Sequence, residues 1–244
     1  MHGHWPEAVA VHHGGLEAAT RLGSRAEQAE ARQRLAILCF KLGDCEQGRA
    51  HGAAGLELFQ QVGNRRGQAR AHLTLGALSS RQGDDAEAVR CQEQALALFR
   101  AIGDRHGQAA TLNDIGWCYV ILGRAHEART FCEQSIALQQ ELGNRSGEAH
   151  AWDSLGYAEH HLGHLAEAAA FYQHALDLYR EIGSRSGVAE SLNHLGDVHH
   201  ADGDHAAARA AWQEALPILD DIRHPEAVKV RDKLRQLGHA ALRR

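Results

Sequence analysis

Glycine returns every forty residues along this 244-residue chain. Gly23, Gly63, Gly103, Gly143 and Gly183 hold one register, and Gly43, Gly83, Gly123, Gly163 and Gly203 hold a second, which Gly3 extends backwards. A third runs Gly76, Gly116, Gly156, Gly196, and a fourth Gly67, Gly107, Gly147, Gly187. Ala29, Ala69, Ala109, Ala149 and Ala189 keep the same step, as do Arg25, Arg65, Arg105, Arg145 and Arg185. A chain of this length otherwise falls between one large domain and two ordinary ones. Self-similarity at a fixed period removes that choice, because each period is one supersecondary unit that buries its apolar face only against its neighbours.

Each unit reads as two helices, A and B. In residues 103–142, Gly103 supplies the left-handed cap that closes the preceding helix. Asp104 is placed to cap the next one, and its equivalents Ser24, Asn64, Asn144 and Ser184 are all capping types. Helix A then carries Ala109, Leu112, Ile115, Gly116 and Tyr119 at three- and four-residue steps. Helix B follows Gly123 with Ala128, Cys132, Ile136 and Leu138. Glycine inside helix A costs about 1 kcal/mol against alanine. Its recurrence at Gly76, Gly116, Gly156 and Gly196 therefore marks a close approach of helices A and B.

Composition narrows the class. No run approaches the roughly 18 apolar residues of a membrane span, and MHGHWPEAVA lacks a signal-peptide core. Five cysteines without a CxxC pair suit a reducing cytosol, so a soluble cytoplasmic protein is expected. A net charge of −5 spread along the chain gives no electrostatic footprint for nucleic acid. No phosphate loop, nucleophile elbow or paired-carboxylate motif is present, so neither catalysis nor a cofactor is expected.

The unit resembles the tetratricopeptide repeat. Trp152-x2-Leu155-Gly156 and Leu112-x2-Ile115-Gly116-x2-Tyr119 match its first half, with Glu159 in place of the second aromatic in one unit. Ala168-x3-Tyr172 with Ala175, and Ala208-x3-Trp212 with Ala215, match its second half. The closing proline is missing, and each unit is about six residues longer than the common form. The resemblance implies an all-α fold, a right-handed superhelix of antiparallel helix pairs. A narrower resemblance lies in WDSLGYAEHHLGHLAEAAAFYQHALDLYREIGSRSG and LNHLGDVHHADGDHAAARAAWQEAL. These are similar to the carboxy-terminal repeat region of actinobacterial NB-ARC transcriptional regulators of the Streptomyces antibiotic regulatory protein type. That resemblance implies a sensor or partner-docking arm attached to upstream domains of a longer polypeptide.

The expected organisation is a half repeat, 1–22, consisting of an unpaired helix B. Five repeats follow at 23–62, 63–102, 103–142, 143–182 and 183–222, then a capping helix at 223–244. In the cap, Val230, Leu234, Leu237 and Ala241 form one stripe, while Lys229, Arg231, Asp232, Lys233 and Arg235 are expected to face solvent. Gly48, Gly52 and Gly55 replace large helix B residues in the first repeat, so loose packing with an empty aromatic position is expected over 44–58.

Function is expected on the concave side, where helix A presents side chains that the inter-helix core leaves over. Carried across from the family pattern, the candidate groove is Asn113, Trp117, Asp153, Tyr157, His160, His161, Asn193, Asp197 and His200. Gln33, Leu73, Ile37, Ala77 and the pairs Phe40/Lys41 and Ser80/Arg81 hold equivalent positions. Asn113, Asp153 and Asn193 would form a polar ladder for an extended peptide backbone, and Trp117 and Tyr157 flat anchors. The expected activity is non-catalytic binding of a protein or peptide, with neither nucleic acid nor membrane as partner. Two other readings stand beside it. Residues 1–22 expose an apolar face that can pair two copies into a homodimer. The 19 histidines, clustered at His160, His161, His164, His194, His199 and His200, can line a metal- or small-ligand-sensing groove. Without HExxH or Cys–His spacing, no metal ligand is assigned.

Overall fold

The computed structural model describes the backbone of residues 5–241 and the side chains of 11–238. Gly3, Ala8 and the Ala241 side chain lie outside these. Among the described residues every regular element is helical: α1 Trp5–Arg21, α2 Arg25–Leu42, α3 Cys45–Gln61, α4 Arg65–Arg81, α5 Asp85–Ala101, α6 Arg105–Ile121, α7 Ala125–Glu141, α8 Arg145–Leu162, α9 Leu165–Glu181, α10 Arg185–Ala201, α11 His205–Asp221 and α12 Glu226–Ala241. The chain is an all-α repeat solenoid. Its contacts fall into two compact units, one ending at Cys118 and one starting at Tyr119.

Punctuation explains the even helix lengths. Ten glycines, from Gly23 to Gly203 at twenty-residue steps, take left-handed φ values between 64° and 85°. Only glycine holds that conformation without cost, so each stops a helix. The series continues to Arg223, which adopts the same conformation at φ 55°. Helices A start on side-chain caps: Asn64 Oδ1 accepts from Gly67 N–H at 2.9 Å and Asp104 Oδ1 from Gly107 N–H at 3.0 Å. Asp44, Asp84 and Asp204 do the same for helices B. Arg124 and His164 occupy the equivalent positions in α7 and α9 without a capping bond.

The other two glycine series make room for rings. Gly67, Gly107 and Gly187 face the Phe59, Phe99 and Tyr179 rings at the end of the preceding helix B, so closely that a Cβ would lie 2.3–2.4 Å from a ring carbon. Gly147 holds that relation to Gln139, the polar residue in the aromatic's place. Gly156 and Gly196 lie against Tyr172 and Trp212 of the paired helix B. The two rings are themselves fully enclosed, at 0% and 2% exposure. Close approach of helices A and B is thus set by a glycine facing a ring in the last two repeats, while Gly76 lies against the Ala88 carbonyl and the Cys91 Cβ.

The first repeat packs differently from the expectation. Gly48, Gly52 and Gly55 are buried in a continuous α3. The vacated space is filled by Leu78 and Leu75, whose methyl groups would lie 2.9 Å from a Cβ at Gly48 and Gly52. No aromatic position stands empty there. The recurrent arginines tie helix A to helix B within a repeat: Arg145 of α8 reaches Glu148 of the same helix at 3.1 Å and Glu181 of α9 at 2.6 Å, and Arg185 of α10 reaches Asp221 of α11 at 2.6 Å.

At α1, Val11 and Leu22 are 70% and 76% exposed. Ala31 is only half-buried, whereas Ala71, Thr111, Ala151 and Ser191 at the same repeat phase are fully buried. α4 and α10 each pack against the helix A before them, α2 and α8.

Candidate functional site

The candidate residues lie on helices A: Asn113 and Trp117 on α6, Asp153, Tyr157, His160 and His161 on α8, and Asn193, Asp197 and His200 on α10. The polar ladder is bonded to the helix A that follows it. Gln33 Nε2 donates to Thr74 Oγ1 at 2.8 Å and to the Arg70 carbonyl at 3.2 Å. Asp153 Oδ1 accepts from Ser191 Oγ at 2.9 Å, and its other oxygen pairs with His194 Nδ1 at 3.1 Å. Asn193 Oδ1 and both Asp197 oxygens accept from Lys233 Nζ at 2.9, 2.5 and 2.7 Å. Asn113 Oδ1 is buried without a hydrogen-bond partner. Two of the rungs expected to bind a peptide backbone, Asp153 and Asn193, are therefore bonded to the helix one repeat further along the array, as is Gln33 at the equivalent position.

Lys233 departs from the expected solvent-facing position. It stands forty residues beyond Asn193, so it is the ladder's next rung, carried by α12. Its ammonium lies 5.5 Å from the Trp212 ring centre. Around it His200, His205, Trp212, Gln236 and Leu237 enclose a cavity of about 340 Å³. Tyr157 stacks edge-on against His161 at 4.5 Å and lies 5.9 Å from His194. His160 lies beside His161, and His200 beside His205 and Trp212. Among the described residues, no group of three or more His, Cys, Asp or Glu side chains is placed to hold a metal ion.

Electrostatics divide these histidines. Burial alone would lower the His194 pKa, but the facing Asp153 carboxylate, with Asp197 and Glu190 beyond it, outweighs burial and holds it above the ordinary value. Burial lowers that of His160; nearby Asp197 opposes this, while His161, His194 and Lys233 reinforce it. A histidine raised in the folded state contributes stability that is complete below its unfolded pKa of about 6.5 and lost as pH rises through the folded value. Asp153→Asn is accordingly expected to destabilise most near pH 6, with a difference from the parent that shrinks toward pH 8–9. Urea unfolding across that range checks it; a gap that widens with pH contradicts the pairing.

Glu159, in the place of the second aromatic, is 1% exposed and receives Arg129 Nε at 2.5 Å and His164 Nδ1 at 2.7 Å. It is a structural ion pair between α7 and α8 with no open approach. Burial raises the thiol pKa values to about 12 at Cys132 and about 11 at Cys91, so these cysteines are inert packing groups.

In the first unit the helix A face is more apolar. Phe40, Leu73, Ala77 and Trp117 border a cavity of about 410 Å³, backed by Gln92 of α5. Arg81 stacks on the Phe40 ring at 4.0 Å and donates to the Phe40 carbonyl. Trp117 is 39% exposed, a large ring at the mouth of a cavity. Gln92 and Lys233 were not among the sequence candidates. Both are detectable by phase, Gln92 at the position of Tyr172 and Trp212, and Lys233 at that of Asn193.

Helix hairpins of forty residues, stacked through glycine–ring contacts and presenting helix A side chains on one face, define a repeat scaffold. A family model for the tetratricopeptide repeat matches residues 27–101, 67–141, 107–181 and 147–221, and the chain belongs to that family. The family's repeats are generally non-catalytic scaffolds for protein–protein interaction. The fold is similar to that of BtubC from P. vanneervenii, with a TM-score of 0.77 and 19% identity over 90% of this chain and 92% of that one. It is also similar to a signal transduction ATPase with numerous domains and a tetratricopeptide repeat sensor, from Pyrococcus horikoshii. That match has a TM-score of 0.70 and 14% identity over 93% of this chain and 39% of the ATPase. A Rap protein complexed with competence and sporulation factor matches at a TM-score of 0.69 and 16% identity, over 98% of this chain and 72% of that one. No curated protein matches the chain in sequence. Among the described residues, no helix is long and apolar enough to cross a membrane.

Proposed function

We propose that this chain binds an extended protein segment along the helix A face of its first unit, without chemistry of its own. The observation that carries the reading is the cavity bordered by Phe40, Leu73, Ala77 and Trp117. Apolar walls, a large exposed ring and a few polar groups are what a peptide anchor requires. In the second unit the equivalent polar groups are bonded to one another, which directs the ligand to α2, α4 and α6. The likeness to a repeat sensor of a signalling ATPase and to a Rap protein holding a signalling factor is consistent with a sensor or docking arm. We read such an arm as part of a signalling ATPase or transcriptional regulator, a reading supported by the resemblance to antibiotic regulatory proteins.

Selection of a random-peptide display library on the full chain tests binding at this face. Enriched peptides are expected to share a consensus and to lose roughly thirtyfold in affinity on a Leu73→Asp, Trp117→Ala double variant that retains its helical spectrum. His160→Ala, in the second unit, is expected to bind them unchanged. Peptides that bind the double variant as tightly as the parent would refute the assignment.

A further inference from the structure

The 410 Å³ cavity of the first unit has a specific chemical demand at its back wall. Position 92 is the repeat phase at which Tyr172 and Trp212 fill the space between paired helices in later repeats. Gln92 stands there in place of a ring and lines the cavity on the helix A face. The residue is 7% exposed, and its Oε1 is buried without a hydrogen-bond partner. The Cys118 thiol, also buried, lines the same cavity. A buried carbonyl oxygen with no donor is costly, and a ligand that brings a donor to it recovers that cost.

We propose that this cavity is a side-chain pocket for tyrosine, with the phenol ring between Leu73, Ala77 and Trp117 and its hydroxyl donating to Gln92 Oε1. This deepens the helix A face reading above and rests on it. The choice of tyrosine follows from where the acceptor lies. Gln92 sits on helix B, behind the helices A that form the mouth, so the donor must be at the far tip of the entering group. Tyrosine carries its hydroxyl there, whereas the tryptophan N–H lies on the flank of its ring. Phenylalanine fits the walls and leaves the Gln92 oxygen unpaired. A lysine or arginine would meet the Arg81 guanidinium stacked on Phe40 at the rim. A carboxylate or phosphate would set an acceptor against an acceptor. Ser80 Oγ donates to Asp85 at 2.8 Å, and Asp114 and Arg81 are the charged groups of the lining; Gln92 is the neutral acceptor among its polar groups.

Side-chain analogues test the pocket without the partner in hand. The full chain is titrated with p-cresol and with toluene, followed by amide chemical shifts. p-Cresol is expected to bind roughly tenfold tighter than toluene and to shift resonances of residues 73–81 and 92. Gln92→Leu is expected to abolish or reverse the preference, and Gln92→Met, of nearly the same shape, serves if the leucine variant does not fold. Equal binding of the two probes to the parent, a preference that survives loss of the amide, or shifts confined to residues beyond 119 would each overturn the proposal. If p-cresol binds as expected while display selection yields no peptide dependent on Leu73 and Trp117, the pocket stands and the peptide reading fails. The converse result refutes the pocket alone.

Discussion

Trp212→Ala is expected to cost about 4 kcal/mol of stability, the largest loss of any single truncation considered. The ring is 2% exposed and lies against Gly196, with His200 at 5.6 Å and the Lys233 ammonium at 5.5 Å. Its indole N–H donates to the Asn193 carbonyl at 3.2 Å. Alanine removes the filling of the α10–α11 interface and one wall of the neighbouring cavity at once. Glycine at 196 presents no side chain to collapse into the gap, so the cavity cost is added to the transfer cost. Trp212→Phe keeps most of the packing and loses the hydrogen bond, for about 1 kcal/mol beyond the volume change. Urea unfolding followed by circular dichroism measures both. A Trp212→Ala loss below about 1.5 kcal/mol would mean that the α10–α11 interface collapses around the truncation.

Gly187→Ala should destabilise by about 3 kcal/mol, although alanine favours a helix by about 1 kcal/mol over glycine. Its Cβ would lie 2.3 Å from a carbon of the Tyr179 ring, which is 2% exposed and held edge-on by His150 at 5.3 Å. The Tyr179 ring is enclosed, so relief requires the ring or the helix to shift. Gly55→Ala is the control with the opposite sign. There the nearest atoms to an added Cβ stand at 3.5 Å, ordinary contact, so the helix gain of about 1 kcal/mol should appear undiminished. Melting temperatures of the two variants decide whether the buried glycines serve close packing or merely tolerate it. Two stabilised variants would remove the glycine–ring account of repeat stacking.

Much of the fold is legible because its turns need glycine for a reason of backbone geometry. Gly23 to Gly203 are required wherever the chain passes through a left-handed cap, and Asn64 or Asp104 is required one residue later to receive helix N–H groups. Both demands are local, so they survive in sequence at a fixed step. The candidate site is less legible, because its chemistry depends on what faces each side chain from the neighbouring repeat. Asp153 and Asn193 read as peptide-binding rungs, yet Ser191, His194 and Lys233 consume them from the next helix A. Lys233 read as a solvated charge on a terminal amphipathic helix. Only its forty-residue distance from Asn193 hints that it completes the ladder. Likewise Gly52 read as a missing aromatic, while Leu75 from α4 fills the gap. Gln92 escaped notice because a glutamine on helix B has no chemical signature until its oxygen is seen buried and unpartnered.

A protein segment docked on the helix A face of the first unit should protect the amides beneath it. Hydrogen exchange of the full chain, with and without a display-selected peptide, tests it most directly. The peptide is expected to slow exchange in residues 73–81 and 113–118 and to leave helices α9 and α11 unchanged. Slowed exchange confined to helices B, or to residues beyond 119, would contradict docking there.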